Sequence, residues 1–319
     1  MSRKFALVTG GAGFIGSHLV DKLVDDGWSV RILDNFSSGR VDNIVSYQGN
    51  PNVKILSIDL KDSKAVEREV RDVDVVFHYA ANPEVRVSTT NPDVHFNENI
   101  VATFNLLEAL RKNSVKVLIF ASSSSIYGDP EKIPVTEQDK IKPVSVYGAS
   151  KAACENLIYA YCSLYGLTAI TLRYANIVGP RLRHAVMYDF IMKLKADSRH
   201  LEILGTGEQN RSYVFIDDVI AGTMLAYSAA EHGFNAYNLG SEDYITVKKV
   251  AEITIRALKI KGITYSYKPT AQGLGWRGDV KNMALSVDKL KSIGFKPLFN
   301  SEEAIRKTAL ALSKELALR

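Results

Sequence analysis

A phenol and an ammonium stand four residues apart in the stretch Tyr147-Gly148-Ala149-Ser150-Lys151. On a helix that spacing brings both side chains to one face. A cation beside a phenol favours the phenolate, so Tyr147 is a candidate for accepting and returning a proton near neutral pH. Upstream, Ser122-Ser123-Ser124-Ser125 closes an apolar strand pattern. Serine runs more often cap turns and helices than catalyse. At a strand end, however, a hydroxyl can hydrogen-bond a substrate alcohol and share its proton with Tyr147. Spacing does not say which of the four does so.

The second chemical signal is Thr9-Gly10-Gly11-Ala12-Gly13-Phe14-Ile15-Gly16. Gly11, Gly13 and Gly16 fit GxGxxG, and Gly10, Gly13 and Gly16 fit the equally spaced GxxGxxG. Glycines here make a tight turn and let backbone approach a pyrophosphate, which the following helix N-terminus attracts with free N–H groups. Asp34 ends the next strand pattern, where a carboxylate binds both ribose hydroxyls and repels a 2′-phosphate. NAD is therefore expected rather than NADP. Arg40 is close enough to greet such a phosphate, but Asp34 holds the nearer position. Asn35, Ser37 and Gly39 follow as candidate ribose or adenine contacts, and the same residues also read as turn chemistry. Asp59-Leu60 follows the third strand pattern and is placed for an adenine contact. Ala80-Ala81, small residues after the fourth, permit close cofactor approach. His78 reads as a packed strand histidine.

These residues must be held by strands and helices, and the pattern supplies them. Short apolar runs at 5–9, 29–33, 53–57, 73–79, 116–121 and 168–173 read as strands buried on both faces. Helical patterns lie at 14–26, 63–70, 92–112 and around Tyr147–Tyr165. This alternation predicts an α/β fold with a doubly wound parallel sheet. Past Gly179-Pro180 the pattern loosens into pieces at 217–230, 236–239, 247–258, 264–267 and 301–316. We expect a nucleotide-binding domain over residues 1–179 and a smaller α/β substrate lobe over 180–319, with some strand exchange between them.

Composition narrows the classes. The 319 residues are 46% apolar and 24% charged, with a net charge of +5. That is ordinary for an enzyme, and the dispersed basic residues give no nucleic-acid footprint. No apolar run approaches a bilayer span, and the start of the chain does not read as a signal peptide. Cys154 and Cys162 fit neither a metal site nor a disulfide framework, so free thiols and a cytoplasmic location are expected.

The motifs together resemble the extended short-chain dehydrogenase/reductase family, with its Rossmann-like fold, and within it the UDP-glucose 4-epimerase-like nucleotide-sugar epimerases. The matching stretches are residues 9–16, 34–39, 122–128, 147–151, 173–180, 207–217 and 277–279, in family order over nearly the whole chain. The resemblance implies that Ser123 is the catalytic hydroxyl and Tyr147 the general acid/base. It makes Lys151 the residue that lowers the Tyr147 pKa and holds the nicotinamide ribose. It assigns Asn99 to the helix beneath the active site and Tyr174 to the cofactor, and Asn176 to the sugar nucleotide. Arg211 and Arg277 are implied to clamp the substrate pyrophosphate, and Asp279 to contact its ribose. A UDP-sugar substrate and a homodimer joined through residues 92–112 and 147–165 are implied as well.

The chain departs from the family after Gly179-Pro180, where the segment 181–187 is short. Four past Asp279 it carries Met283, whose flexible side chain leaves open whether N-acetylated sugars fit. A 4,6-dehydratase needs an acidic pair after the catalytic hydroxyl, and Ser124 and Ser125 stand there instead. A non-catalytic NAD sensor is the other rival reading, and such proteins commonly lose the Tyr/Lys pair that this chain keeps.

Overall fold

The alternation of apolar and amphipathic runs becomes a parallel sheet with helical crossovers. The structure, a computed structural model, describes residues 3–316, so Met1, Ser2 and residues 317–319 of the two expected lobes lie outside the described residues. In chain order the first half comprises β1 (Phe5–Thr9), α1 (Phe14–Asp25), β2 (Ser29–Asp34), β3 (Val53–Ser57), α2 (Ser63–Glu69) and β4 (Val75–His78). There follow α3 (Asp93–His95), a π-helical turn (Phe96–Val101), α4 (Ala102–Lys112), β5 (Val117–Ser123), α5 (Val146–Tyr165) and β6 (Thr168–Tyr174). The second half comprises β7 (Asn176–Val178), α6 (Ala185–Ala196), β8 (His200–Leu204), β9 (Asn210–Arg211), β10 (Tyr213–Phe215), α7 (Ile216–Ser228) and β11 (Phe234–Leu239). It ends with β12 (Ile245–Thr246), α8 (Val247–Ala257), β13 (Thr264–Lys268), β14 (Asn282–Met283), α9 (Asp288–Ser292) and α10 (Ser301–Glu315).

Seven strands form one sheet in the order β3-β2-β1-β4-β5-β6-β11, every neighbouring pair parallel. The strand order reverses between β1 and β4. Crossovers leave to opposite faces there and open a crevice beyond the carboxyl ends, where ligands of such sheets bind. Side-chain alternation divides the core between the two faces. Ala6, Val8, Ile32 and Phe77 belong to one buried cluster, and Leu7, Leu33, Val76 and Phe120 to the other. Each of these side chains larger than alanine contributes about 1.5–3 kcal/mol on burial.

The chain leaves the large sheet after β6 and returns to it with α7, which lies against α1, and β11. The remaining strands make small sheets: β7 with β10, β9 between β12 and β14, and β8 with β13. Helix α6 and strand β8 have no counterpart among the expected elements. The expected helix over 92–112 is interrupted by the π-helical turn at Phe96–Val101. Its wide loop brings Asn99 and Thr103 against α5, where the Cys154 thiol donates to the Asn99 carbonyl and the Thr103 hydroxyl, each at 3.4 Å. Both cysteines are free and buried on α5. Among the described residues no helix is long and apolar enough to cross a membrane.

Candidate active site

The glycine turn is built as its spacing requires. Gly10 has φ 68°, in the left-handed region. A Cβ at Gly16 would collide with the Gly10 carbonyl, so only glycine lets α1 start against β1. At the start of α1, Gly13 supplies no side-chain cap and the first turn carries no acid. Its N–H groups are therefore left for an anion.

Asp34 does two things at once. Its carboxylate accepts from the Ala12 N–H at 2.9 Å and from the Phe36 N–H at 2.8 Å, fixing the glycine turn to the loop that follows. It also lines the cleft. Burial raises its pKa, and the two backbone hydrogen bonds work against that rise. Arg40 turns to Asp42 at 2.9 Å. Asn35 donates to Asp59 at 3.1 Å and accepts from the Ser37 hydroxyl at 2.7 Å, so turn chemistry accounts for these two residues while both line the cleft. His78 is the packed histidine expected. It is bonded to Thr9 at 2.7 Å and Thr103 at 2.9 Å, and burial pushes its pKa to about 3.

Sheet geometry separates the four serines. Ser122 faces inward and donates to Glu155 at 2.5 Å. Glu155 is held in turn by the buried Arg173 guanidinium at 2.7 Å. Ser123 points the other way and accepts from the Ser125 N–H at 3.2 Å and the Ser125 hydroxyl at 2.9 Å. Helix α5 is capped by the Ser145 hydroxyl, which accepts from the Gly148 N–H at 3.1 Å. A Cβ at Gly148 would lie 2.5 Å from the Ser125 carbonyl. Glycine after the tyrosine is thus what lets the first turn of α5 close on the serine turn, and Tyr147 and Ser123 line one cavity there.

Burial dominates the electrostatics of the Tyr/Lys pair. Burial pushes Tyr147 up to about 12, with the Ser123 hydrogen bond working against it. Burial pushes Lys151 down to about 8. The ammonium donates to the Ala121 carbonyl at 2.7 Å and lies 5.9 Å from the centre of the Tyr147 ring. The ammonium is thus hydrogen-bonded to a backbone carbonyl while standing beside the phenol ring. His95, fully buried, packs edge-on against Tyr147 with ring centres 5.5 Å apart.

Two adjoining cavities meet at Ser123. The larger, about 540 Å³, is lined by Gly10, Gly13, Phe14, Ile15, Gly16, Asp34, Asn35, Ser37, Gly39, Asp59, Leu60, Ala80, Ala81, Tyr147, Lys151 and Tyr174. The smaller, about 310 Å³, is lined by Arg211, Asp279 and Met283. Ser123 and Asn176 line both. Two candidates lie elsewhere. Asn99 is buried below the cleft, donating to the Ser150 hydroxyl at 2.9 Å and accepting from the Asn82 N–H at 2.9 Å. Arg277 is exposed and lines neither cavity, whereas its neighbours Trp276 and Gly278 line the smaller one. Arg211 is paired with Asp279 at 2.7 Å. Residues the sequence did not single out also line the cavities: Glu84 and Arg86, paired at 3.0 Å, and His184 and Trp276. Nothing in their spacing marks them.

A glycine turn without acids, a carboxylate at the ribose position and a buried phenol-hydroxyl pair at the far end fit a dinucleotide laid along the larger cavity. Fold and cleft define a dinucleotide-dependent enzyme. Comparison with known proteins agrees. The profile of the NAD dependent epimerase/dehydratase family matches residues 6–240. A putative UDP-glucose 4-epimerase of Methanocaldococcus jannaschii is 35% identical, over 94% of this chain and 96% of the relative. Among solved structures, a UDP-galactose 4-epimerase superposes with TM-score 0.88 at 46% identity, covering 98% of this chain and 99% of the other. The UDP-N-acetylglucosamine 4-epimerase of Methanobrevibacter ruminantium M1, solved with UDP-N-acetylmuramic acid, gives 0.87 at 32% identity over 99% and 100%. This chain belongs to the NAD dependent epimerase/dehydratase family, and NAD is its cofactor.

Proposed function

We propose that this protein is a UDP-hexose 4-epimerase that interconverts UDP-glucose and UDP-galactose through a transient 4-keto sugar. The observation that carries the reading is Ser123 and Tyr147 lining the same cavity, with Ser123 at the junction of the two cavities and serines rather than carboxylates at 124 and 125. The residues lining the larger cavity would hold NAD, which would supply reversible hydride acceptance from C4 of the sugar. The chain's own groups manage the proton. Tyr147 removes it from the sugar 4-OH with Ser123 bridging, and gives it back after the sugar has turned. Lys151 supplies the positive charge that stabilises the phenolate as it forms. Without an acid or base at 124 and 125, expulsion of water across C5 and C6 has no assistance, which argues against a dehydratase.

In this reading the smaller cavity, with Asn176, Arg211 and Asp279, receives the UDP end, and residues 180–319 supply most of it. Arg211 must exchange part of its pairing with Asp279 for phosphate, a bidentate exchange suited to a guanidinium. Arg277 is assigned to the same diphosphate by resemblance alone. A homodimer through the outer faces of α4 and α5 and a cytoplasmic location belong to the same proposal. The test is to incubate the purified protein with UDP-glucose and, separately, UDP-N-acetylglucosamine, with no cofactor added. Conversion of UDP-glucose supports the reading. Conversion of only the N-acetylated sugar, or a dehydrated product, overturns it.

A further inference from the structure

His184 lines both cavities and has no role in the account above. It immediately precedes α6, yet its side chain makes no cap to that helix. Its ring lies instead edge-on to that of Phe14, centres 6.4 Å apart. Phe14 is the first residue of α1, where the glycine turn ends. The other edge of this packing is His18, 5.9 Å from Phe14 and bonded through Nε2 to the Pro180 carbonyl at 3.1 Å. The segment between β7 and α6 is thus drawn onto the start of α1 at both ends. Helix α6, like α1, begins without a side-chain cap and without an acid in its first turn. Ala185, next to His184, is held at φ 63°, a backbone state alanine rarely adopts.

We propose that His184 donates a hydrogen bond to the diphosphate of the bound dinucleotide, closing the glycine turn from the opposite side of the cleft. The contact with Phe14 is what assigns it to the cofactor rather than to the diphosphate of the sugar nucleotide. The charged groups that share its cavities include Glu84 and Arg86 from the loop after β4, Arg181 and Arg183 just before it, and Asp189 on α6. Burial lowers the His184 pKa, and Glu84 opposes this. Glu84 is already committed to Arg86 at 3.0 Å. A diphosphate brings the negative charge that restores the imidazole proton, so NAD is held more tightly as pH falls from about 8 to about 6.

The test uses the full chain loaded with NAD and freed of excess dinucleotide. The rate of NAD release is followed at pH 6 and pH 8, and UDP affinity is measured separately with NAD saturating. The parent should release NAD more slowly at pH 6 than at pH 8. His184→Phe keeps the ring packing against Phe14 and removes both nitrogens. It should release NAD about tenfold faster at pH 6, with the pH difference gone and UDP affinity unchanged within about twofold. His184→Gln, which keeps a donor that does not titrate, should be intermediate and independent of pH. Parental release rates in His184→Phe overturn the proposal. So does a loss of UDP affinity that matches or exceeds the effect on NAD.

Discussion

Tyr147 and Lys151 are each held by burial in the neutral form's favour: the phenol near 12 and the amine near 8. Both shifts have the same cause, removal of water from a charge. Loss of the Tyr147 proton is therefore opposed by burial and favoured by Ser123. Tyr147→Phe should lower turnover about 10³-fold while the purified protein still releases NAD on denaturation. Near-parental turnover in that variant would end the acid/base assignment. The lysine makes a second prediction, about stability. Its pKa in the folded chain is about 8 against an ordinary 10.5, so below pH 8 the folded state carries a buried charge costing about 3 kcal/mol. That cost is relieved as pH rises from 8 towards 10.5. Lys151→Met loses the hydrogen bond to Ala121, a smaller effect of about 1 kcal/mol. The inactive variant should thus melt no lower than the parent at pH 7, and a clear drop would contradict the electrostatic account.

At the scale of elements, buried polar side chains join the pieces that carry the site. His78 ties β4 to β1 through Thr9 and to α4 through Thr103. Its pKa is about 3 in the folded chain and about 6.5 when unfolded. The neutral ring contributes its full stability above pH 6.5, and that contribution is lost as pH falls towards 3. Within this window each pH unit removes at most about 1.4 kcal/mol. His78→Gln should flatten the fall in unfolding free energy between pH 6.5 and 4, measured by denaturant titration. An unchanged slope would assign the acid sensitivity elsewhere. Asn99 plays the same joining part between the π-helical turn, α5 and the loop after β4. Asn99→Ala leaves the Ser150 hydroxyl and the Asn82 N–H without that partner. It should cost about 1–3 kcal/mol in thermal or denaturant unfolding.

At the scale of the whole molecule, α4 and α5 present large apolar side chains outward: Phe104, Tyr159, Leu164 and Tyr165 are all exposed, Leu164 at 71%. Two such faces brought together would shelter the outer side of the helix that carries Tyr147 and Lys151. A specific dimer of this kind needs about 1,200–2,000 Å² buried. We expect sedimentation to show a dimer for the parent and a monomer for the Phe104→Asp/Leu164→Asp double variant, with the melting temperature falling as dimer is lost. A double variant that still sediments as a dimer would place the interface elsewhere.

The sequence by itself determined the strand-helix alternation, the glycine turn and the face shared by Tyr147 and Lys151, because these depend on period and local backbone geometry. Asp34 was legible for the same reason: the residue ending β2 necessarily arrives beside the turn that ends β1. What only the tertiary structure decided concerns contacts between distant parts of the chain. Alternation across β5 sent Ser122 to Glu155 and Ser123 to Tyr147, and the close approach at Gly148 fixed the second of these. Trp276 lines the smaller cavity where Arg277 was expected, and His184 reaches the start of α1 from beyond β7. No periodicity records such meetings. The direction in which burial shifts each pKa was out of reach too, because desolvation is set by everything packed around a group rather than by its neighbour in the motif.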